Sequence, residues 1–215
     1  MIIDMPTSND LAKLTQLHYL VDKHGKKKAT TKINKKLVGT GYEVTKLKRG
    51  VASFKHDDGH NVISVKGTDV KQKKDLLSDI KLGLGISNKD KQFKHRRNEI
   101  KDIIKETDGD NYLTGHSLGG SIATSAMVKS KSIRDNVKEA HLFNTGYTKA
   151  FHDELSTGLK KTDKKELKDK VIHHRTHGDV ISNALKDHHI GEVKTYKQVS
   201  STNPLANHSL DSIID

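Results

Sequence analysis

Apolar residues in this 215-residue chain are gathered into short runs that are separated by long polar stretches. From Ser8 to His24 they recur at helical spacing after a cluster of Thr, Ser, Asn and Asp suited to N-capping, which predicts a first helix. Over Lys91–Thr107, a phenylalanine and three isoleucines repeat with the same period and predict another. The lysine-rich stretch Lys23–Lys36 is interpreted as a solvated connection.

Runs of β-forming residues predict a sheet. Three precede the second helix, with Asp57-Asp58-Gly59 as a hairpin signal between the last two: Tyr42–Lys48, Val51–Lys55 and Asn61–Lys66. Four follow it, with the helix Ser121–Lys131 after the first of them: Asn111–Thr114, Ala140–Asn144, Val171–His174 and Val193–Val199. This alternation indicates βαβ units and a mostly parallel sheet flanked by helices. Without an internal repeat or a Pro- or Ser-rich linker, residues 1–215 are predicted to form a single α/β domain.

The composition indicates a highly charged, basic surface. Charged residues make up 31% of the chain and hydrophobic residues 32%, and the net charge of +12 attracts anions. The basic runs at 23–36, 71–74 and 160–170 are interpreted as solvated faces, with peripheral contact to an anionic membrane or another polyanion as the alternative. Specific nucleic-acid binding is not expected, because single-strand readers stack bases on aromatic side chains, which are only 4% here. The oligomeric state stays open.

The chain contains no cysteine, which excludes disulfides and thiolate zinc sites. Its first residues lack the basic start and the apolar stretch of a signal peptide, and no apolar run approaches the roughly 18 residues of a membrane span. We therefore expect a soluble protein, either cytoplasmic or packaged in a virion.

The sharpest local signal is Gly115-His116-Ser117-Leu118-Gly119-Gly120. A serine nucleophile projects from a tight strand-to-helix turn, and glycines two positions to either side let the backbone pass without a Cβ clash. The predicted strand before this turn and the small-residue helix after it supply that context. Ser117 is the predicted nucleophile, and the N–H of Leu118 is one predicted oxyanion donor. His116 is interpreted as packing near the site.

The other triad members are predicted from the chain order serine, acid, histidine of α/β-hydrolases. Asp179 follows the strand that begins at Val171, where it would be delivered beside the serine. Its rivals lie in polar or helical stretches: Asp153, Asp163 and Asp187. Among fourteen histidines, His208 follows the last strand and is the predicted base. His188 and His189 remain alternatives, although they precede that strand.

Four segments in order resemble the fungal-type lipases (lipase class three), an α/β-hydrolase family, and together they span residues 62–181. They are Val62–Thr68, Asp75–Asp79, Gly115–Gly120 and Gly178–Ile181. Two positions depart from the family pattern: Lys66 replaces the usual arginine, and Leu76 replaces a tryptophan. The N-terminal third carries no part of the resemblance.

The resemblance implies two further features. Thr68 occupies the position of the family's second oxyanion donor. The segment after it, from Asp69 to Lys89, corresponds to a lid over the site. Read as a helix, this segment places three apolar residues on one face, for the site or for a lipid surface: Leu76, Leu77 and Ile80.

A rival reading gathers His173, His174, His177 and Asp179 into a zinc site. On an extended strand, however, Arg175 shares a face with His173 and His177, and a cation there opposes metal binding. No second ligand cluster has recognisable spacing, so no metal and no cofactor are predicted.

The sequence thus predicts a serine hydrolase of the α/β-hydrolase fold that cleaves a carboxylic ester. By resemblance, the substrate is a lipid or phospholipid ester. Two alternatives stay open: a small soluble esterase, and a catalytically silent basic protein of a virion or surface that keeps the hydrolase fold as a scaffold.

Overall fold

The computed structural model describes residues 5–67, 88–146, 148–179, 181–182, 189–197, 199–200 and 204–214. Several predicted positions lie outside these ranges: Thr68, Leu76, Leu77, Ile80, Asp187 and His188. The predicted lid, residues 69–89, therefore lies outside the described residues, except for the backbone of residues 88 and 89.

Within the described residues, seven strands form one sheet in which spatial order follows chain order. They are β1 (Tyr42–Leu47), β2 (Val51–His56), β3 (Asn61–Val65), β4 (Asn111–His116), β5 (Val137–Phe143), β6 (Val171–Thr176) and β7 (Glu192–Tyr196). The first three strands pair antiparallel, and every pairing from β3 to β7 is parallel. The predicted mostly parallel sheet is confirmed.

Helices cover both faces of the sheet. They are α1 (Ser8–His18), α2 (Leu20–Leu37), α3 (Asn88–Glu106), α4 (Leu118–Lys129), α5 (Lys131–Asn136), α6 (Lys149–Ser156), α7 (Lys161–Lys170), α8 (Pro204–His208) and a 3₁₀ turn at Leu210–Ser212. One apolar core joins Ile63 and Leu113 to α3 and α4, and the other joins Val62 and Tyr112 to α1 and α2. Neighbouring residues of one strand enter opposite cores because side chains alternate across a strand.

The N-terminal helix differs from its prediction. The helix expected over residues 8–24 is divided at Tyr19, and the lysine-rich stretch after it continues as α2 rather than as a solvated connection. Buried residues at four-residue spacing explain the helix, because Ala29, Ile33 and Leu37 form an apolar stripe among exposed lysines. Gly25 interrupts α2 with φ 70°.

Three helices of the C-terminal half, α5, α6 and α7, had no sequence signal strong enough to predict them. The lysines of α7 face the solvent while Leu167 is buried, as expected for a solvated basic face. In the described part of the chain, no helix combines the length and the apolar character that crossing a bilayer requires.

Several histidines are buried as neutral side chains. Burial lowers the pKa of His18 to about 4, and burial together with neighbouring histidines lowers the pKa values of His116 and His174 to about 3. Each ring bonds internal partners; His18, for example, lies 3.2 Å from Ser64 Oγ and 3.0 Å from the Lys48 carbonyl oxygen. These rings are part of the core.

Lowering the pH should therefore destabilise the fold at pH values well above those at which the carboxylates titrate. A histidine whose pKa is depressed by folding stabilises the protein above its unfolded pKa, near 6.5, and this contribution is lost as pH falls toward the folded value. By pH 5 the loss is on the order of 2 kcal/mol for each such histidine. Urea unfolding at pH 7.5, 6 and 5 measures it, with His95→Ala, which removes an exposed histidine, as the control. A free energy of unfolding that is flat between pH 7 and 5 would contradict the expectation.

Candidate active site

Ser117 lies at a strained turn between β4 and α4. Its φ of 56° is one of two positive values at non-glycine residues among those described, and such strain is sustained only where the surroundings enforce it. Neighbouring glycines permit the turn, because a Cβ on Gly115 would lie 2.8 Å from the Gly119 carbonyl carbon. A Cβ on Gly119 would lie 2.2 Å from the Val65 carbonyl oxygen. The turn is thus pressed against the end of β3.

Three side chains from distant parts of the sequence meet at this turn. His208 Nε2 lies 2.9 Å from Ser117 Oγ, and His208 Nδ1 lies 3.1 Å from both carboxylate oxygens of Asp179. An ionised carboxylate can only accept, so Nδ1 carries the ring proton and Nε2 accepts the serine hydroxyl proton. All three residues are fully buried. The structure therefore brings together the predicted nucleophile, acid and base in the order that proton transfer requires.

The carboxylate of Asp179 is held by backbone as well as by His208. The N–H groups of Ile181 and Ser182 donate to its two oxygens at 3.0 and 3.1 Å. Burial alone would raise the pKa of Asp179, but the hydrogen bond and charge of His208, with these two donors, lower it below its ordinary value. The group is consequently ionised at neutral pH, as an acid that orients an imidazole must be.

His116, inside the turn, supports His208 from behind. Its Nε2 lies 2.7 Å from the backbone carbonyl oxygen of His208, which can only accept, so Nε2 carries the proton. Nδ1 then accepts from the Tyr19 hydroxyl at 3.1 Å. Burial and the neighbouring His208 lower the pKa of His116 to about 3, which keeps this tautomer neutral. Tyr19, between α1 and α2, is thereby connected to the backbone of His208 through the ring of His116.

Two asparagines fix the segment that carries His208, and sequence reasoning found neither. Asn144, at φ 42° after β5, donates through Nδ2 to the Asn207 carbonyl oxygen at 3.0 Å and accepts from the Thr176 N–H at 2.9 Å. Asn207 Oδ1 accepts from the N–H groups of Val199 and Ser200 at 3.1 and 3.0 Å. A polar residue directly after a buried strand is the signal that could have identified Asn144.

The predicted oxyanion donors are only partly described. Leu118 begins α4, so its N–H lies at the positive end of a helix dipole beside Ser117. Gly67, the last described residue before Thr68, packs on the same backbone, because a Cβ there would lie 3.1 Å from Leu118 N. The chain that leads to Thr68 therefore passes directly beside the turn.

The rival residues serve other contacts. His173 bonds Thr145 Oγ1 at 3.2 Å and the Ile190 carbonyl oxygen at 3.1 Å, and His174 bonds His141 and Tyr196. His189 lies against His173, with 4.6 Å between ring centroids. The two described rival acids, Asp153 and Asp163, lie on α6 and α7, where they pair with basic side chains.

Sheet order, flanking helices and the strained serine turn define an α/β-hydrolase fold. A crystal structure of M37 lipase shares this fold with a TM-score of 0.54 and 14% identity, over 85% of this chain and 72% of that chain. A structure of an arylesterase aligns over 97% of both chains, with a TM-score of 0.40 and 10% identity. No curated protein matches the chain in sequence.

The family is shown by sequence. A family model described as a Tle-like phospholipase domain matches residues 11–210, so the chain belongs to this phospholipase-like family. The predicted resemblance is thereby confirmed at the level of a lipase- or phospholipase-like hydrolase, but not as lipase class three. Family and fold together support carboxylic ester hydrolysis.

Replacing His116 should slow catalysis through the position of His208. In His116→Phe the His208 carbonyl loses its donor, and we expect kcat for a soluble ester to fall roughly 10–100-fold with little change in KM. His116→Gln, whose amide can donate from the position of Nε2, should recover much of this loss. Steady-state kinetics of both variants, with Tyr19→Phe as a milder perturbation, measures the effect. A change confined to KM, or no advantage of glutamine over phenylalanine, would contradict a positioning role.

Proposed function

We propose that the protein hydrolyses a carboxylic ester of a phospholipid through a Ser117–His208–Asp179 triad. The observation that carries the proposal is the buried chain of contacts from Ser117 Oγ through the His208 ring to Asp179, at a serine with positive φ. Backbone strain of this kind persists only where the surrounding structure enforces it, and it is concentrated at active sites, which supports a catalytic role for this serine.

The acylation step follows from these contacts. His208 Nε2 removes the hydroxyl proton of Ser117 as Oγ attacks the ester carbonyl carbon, and Asp179 stabilises the imidazolium that forms. The carbonyl oxygen becomes an oxyanion, stabilised by the N–H of Leu118 and, by resemblance, that of Thr68. Loss of one such donor typically costs about 2.7–4 kcal/mol in the barrier. The imidazolium then gives its proton to the departing alkoxide, which leaves an acyl-enzyme.

Deacylation reverses the roles with water as the nucleophile. His208 takes a proton from the water as its oxygen attacks the acyl carbonyl carbon, and returns this proton to Ser117 Oγ as the acid departs. The N-terminal amides of α4 serve both tetrahedral intermediates. The chemistry proposed here uses only side chains and backbone amides of this chain.

The choice of a phospholipid is supported by the family description and by charge. α2 carries seven exposed lysines (Lys23, Lys26, Lys27, Lys28, Lys32, Lys35 and Lys36). Its single acid, Asp22, pairs with the buried Lys66 at the end of β3. The first turn of α2 thus begins beside the serine turn, and the helix runs from there toward the opposite edge of the sheet. The lysines in its first half would be the nearest to an anionic bilayer that approaches the serine turn. The lipase class three resemblance and the lid remain hypotheses of the same kind.

Loss of the nucleophile separates an enzyme from a silent scaffold. We expect Ser117→Ala to abolish ester hydrolysis and labelling by a fluorophosphonate probe, with a melting temperature within a few degrees of wild type. His208→Ala should lower kcat by orders of magnitude, because the general base is lost. His189→Ala is the control. Labelling of Ser117→Ala, or activity in His208→Ala but not in His189→Ala, would refute the proposed triad; an unlabelled wild type would favour the binding protein.

Anionic phospholipid vesicles should be cleaved faster than neutral vesicles of the same size. The preference should fade between 0.05 and 0.5 M salt, where the Debye length falls from about 14 to about 4 Å. Neutralising the lysines in Lys26→Gln/Lys27→Gln/Lys28→Gln should reduce it. The matched control, Lys164→Gln/Lys165→Gln/Lys168→Gln, removes the same charge from α7, which packs on the other face of the sheet. The measurement is the initial rate on anionic vesicles, on neutral vesicles and on a soluble ester. Equal rates on all three substrates would indicate a soluble esterase instead.

A further inference from the structure

Two imidazoles and a carboxylate converge at the turn between β2 and β3. The ligand atoms of His56, Asp58 and His60 all lie within 4.8 Å of one another. Asp58 Oδ1 is 3.0 Å from His56 Nδ1 and 2.6 Å from His60 Nδ1. β3 runs from this turn toward the serine turn, so the cluster lies at the end of the sheet opposite to the candidate active site.

Hydrogen bonds indicate which ring nitrogens face the carboxylate without a proton. His56 Nδ1 accepts a long hydrogen bond from the Asp58 N–H at 3.3 Å, so its proton is on Nε2. His60 is 2% exposed, and its Nδ1 has no hydrogen-bond partner among the described residues, because its short contact with Asp58 lacks hydrogen-bond geometry. Three electron-pair donors are therefore crowded into one small space, an arrangement that a cation stabilises.

The surroundings resemble those of a metal ligand. His60 Nε2 lies 2.8 Å from the Tyr42 hydroxyl, which can accept a proton from Nε2 in the tautomer that leaves Nδ1 available for an ion. Gly41 leaves room for the other ring, since a Cβ there would lie 2.5 Å from His56 Nε2. His56 and Asp58 are partly exposed, which leaves a path for an ion and for water ligands.

We propose that His56, Asp58 and His60 form a binding site for a zinc-like transition-metal dication. Two imidazole nitrogens and one carboxylate oxygen suit such an ion, and water would complete a four-coordinate shell. The two rings stack with 10° between their planes, so binding must rotate at least one of them until both planes contain the ion. The site would clamp the β2–β3 hairpin and, through Tyr42, the edge strand β1.

Zinc titration of chelator-stripped, desalted protein tests this site. We expect one equivalent of Zn²⁺ by calorimetry, Co²⁺ absorption bands from a four-coordinate site, and a melting temperature that rises by roughly 5–10 °C at a hundred times Kd. His56→Ala and Asp58→Asn, both at partly exposed positions, should each weaken binding by about 100-fold or more, and Tyr42→Phe by roughly 10-fold. His95→Ala removes an exposed histidine elsewhere and serves as the control.

Each outcome of these measurements either supports or overturns the proposed metal site. A one-to-one isotherm that is retained in His95→Ala and lost in His56→Ala and Asp58→Asn supports the site. Absence of such an isotherm up to about 1 mM metal overturns it, as does binding that both variants leave unchanged. Because the cluster takes no part in ester cleavage, the result is independent of whether Ser117 is the nucleophile.

Discussion

Close contact between the end of β3 and the first turn of α4 is the constraint on which the rest of this molecule depends. Only hydrogen atoms fit at the facing positions, because a Cβ on Gly67 would lie 2.6 Å from the His116 carbonyl oxygen. A Cβ on Gly119 would collide with the backbone of Val65 in the same way. The close approach of the two backbones accompanies the positive φ of Ser117, and in this conformation its Oγ lies 2.9 Å from His208 Nε2.

The N-terminal third of the chain, which carries no recognisable motif, contacts the segment that carries His208, the proposed base. Tyr19 lies at the division between α1 and α2, and the neutral ring of His116 connects its hydroxyl to the backbone of His208. Asp22, one turn later, pairs with Lys66 at the end of β3. Removing one partner of a buried ion pair typically costs about 3–5 kcal/mol, because the other charge is left buried without compensation.

What the sequence could predict depended on how local each signal was. The serine turn is local, since glycines, strand and helix are all read within about twenty residues, and Asp179 and His208 followed from chain order at strand ends. The sequence did not predict α2, because its three buried residues are separated by exposed lysines. Their four-residue spacing is the only sign of helical periodicity in this stretch. Asn144 carries a local signal, its place directly after a buried strand, but its contact with Asn207 could not be predicted, because that contact exists only once β5 and the C-terminal segment are adjacent. Roles assigned to Thr68 and to the lid rest on resemblance.

The histidines show that residue type alone does not determine the role of a side chain in this protein. His208 is positioned by an ionised acid and faces a hydroxyl; His174, buried between His141 and Tyr196, has a pKa lowered by burial and is a structural part of the core. His60 presents a bare nitrogen to a carboxylate at the far end of the sheet. In each case the partner fixes which ring nitrogen holds the proton, and that choice determines whether the ring accepts a proton, fills space or binds an ion. The proposed catalytic site lies at the carboxyl ends of the parallel strands, where open α/β sheets bind their ligands, and the proposed metal site lies at the other end of β3.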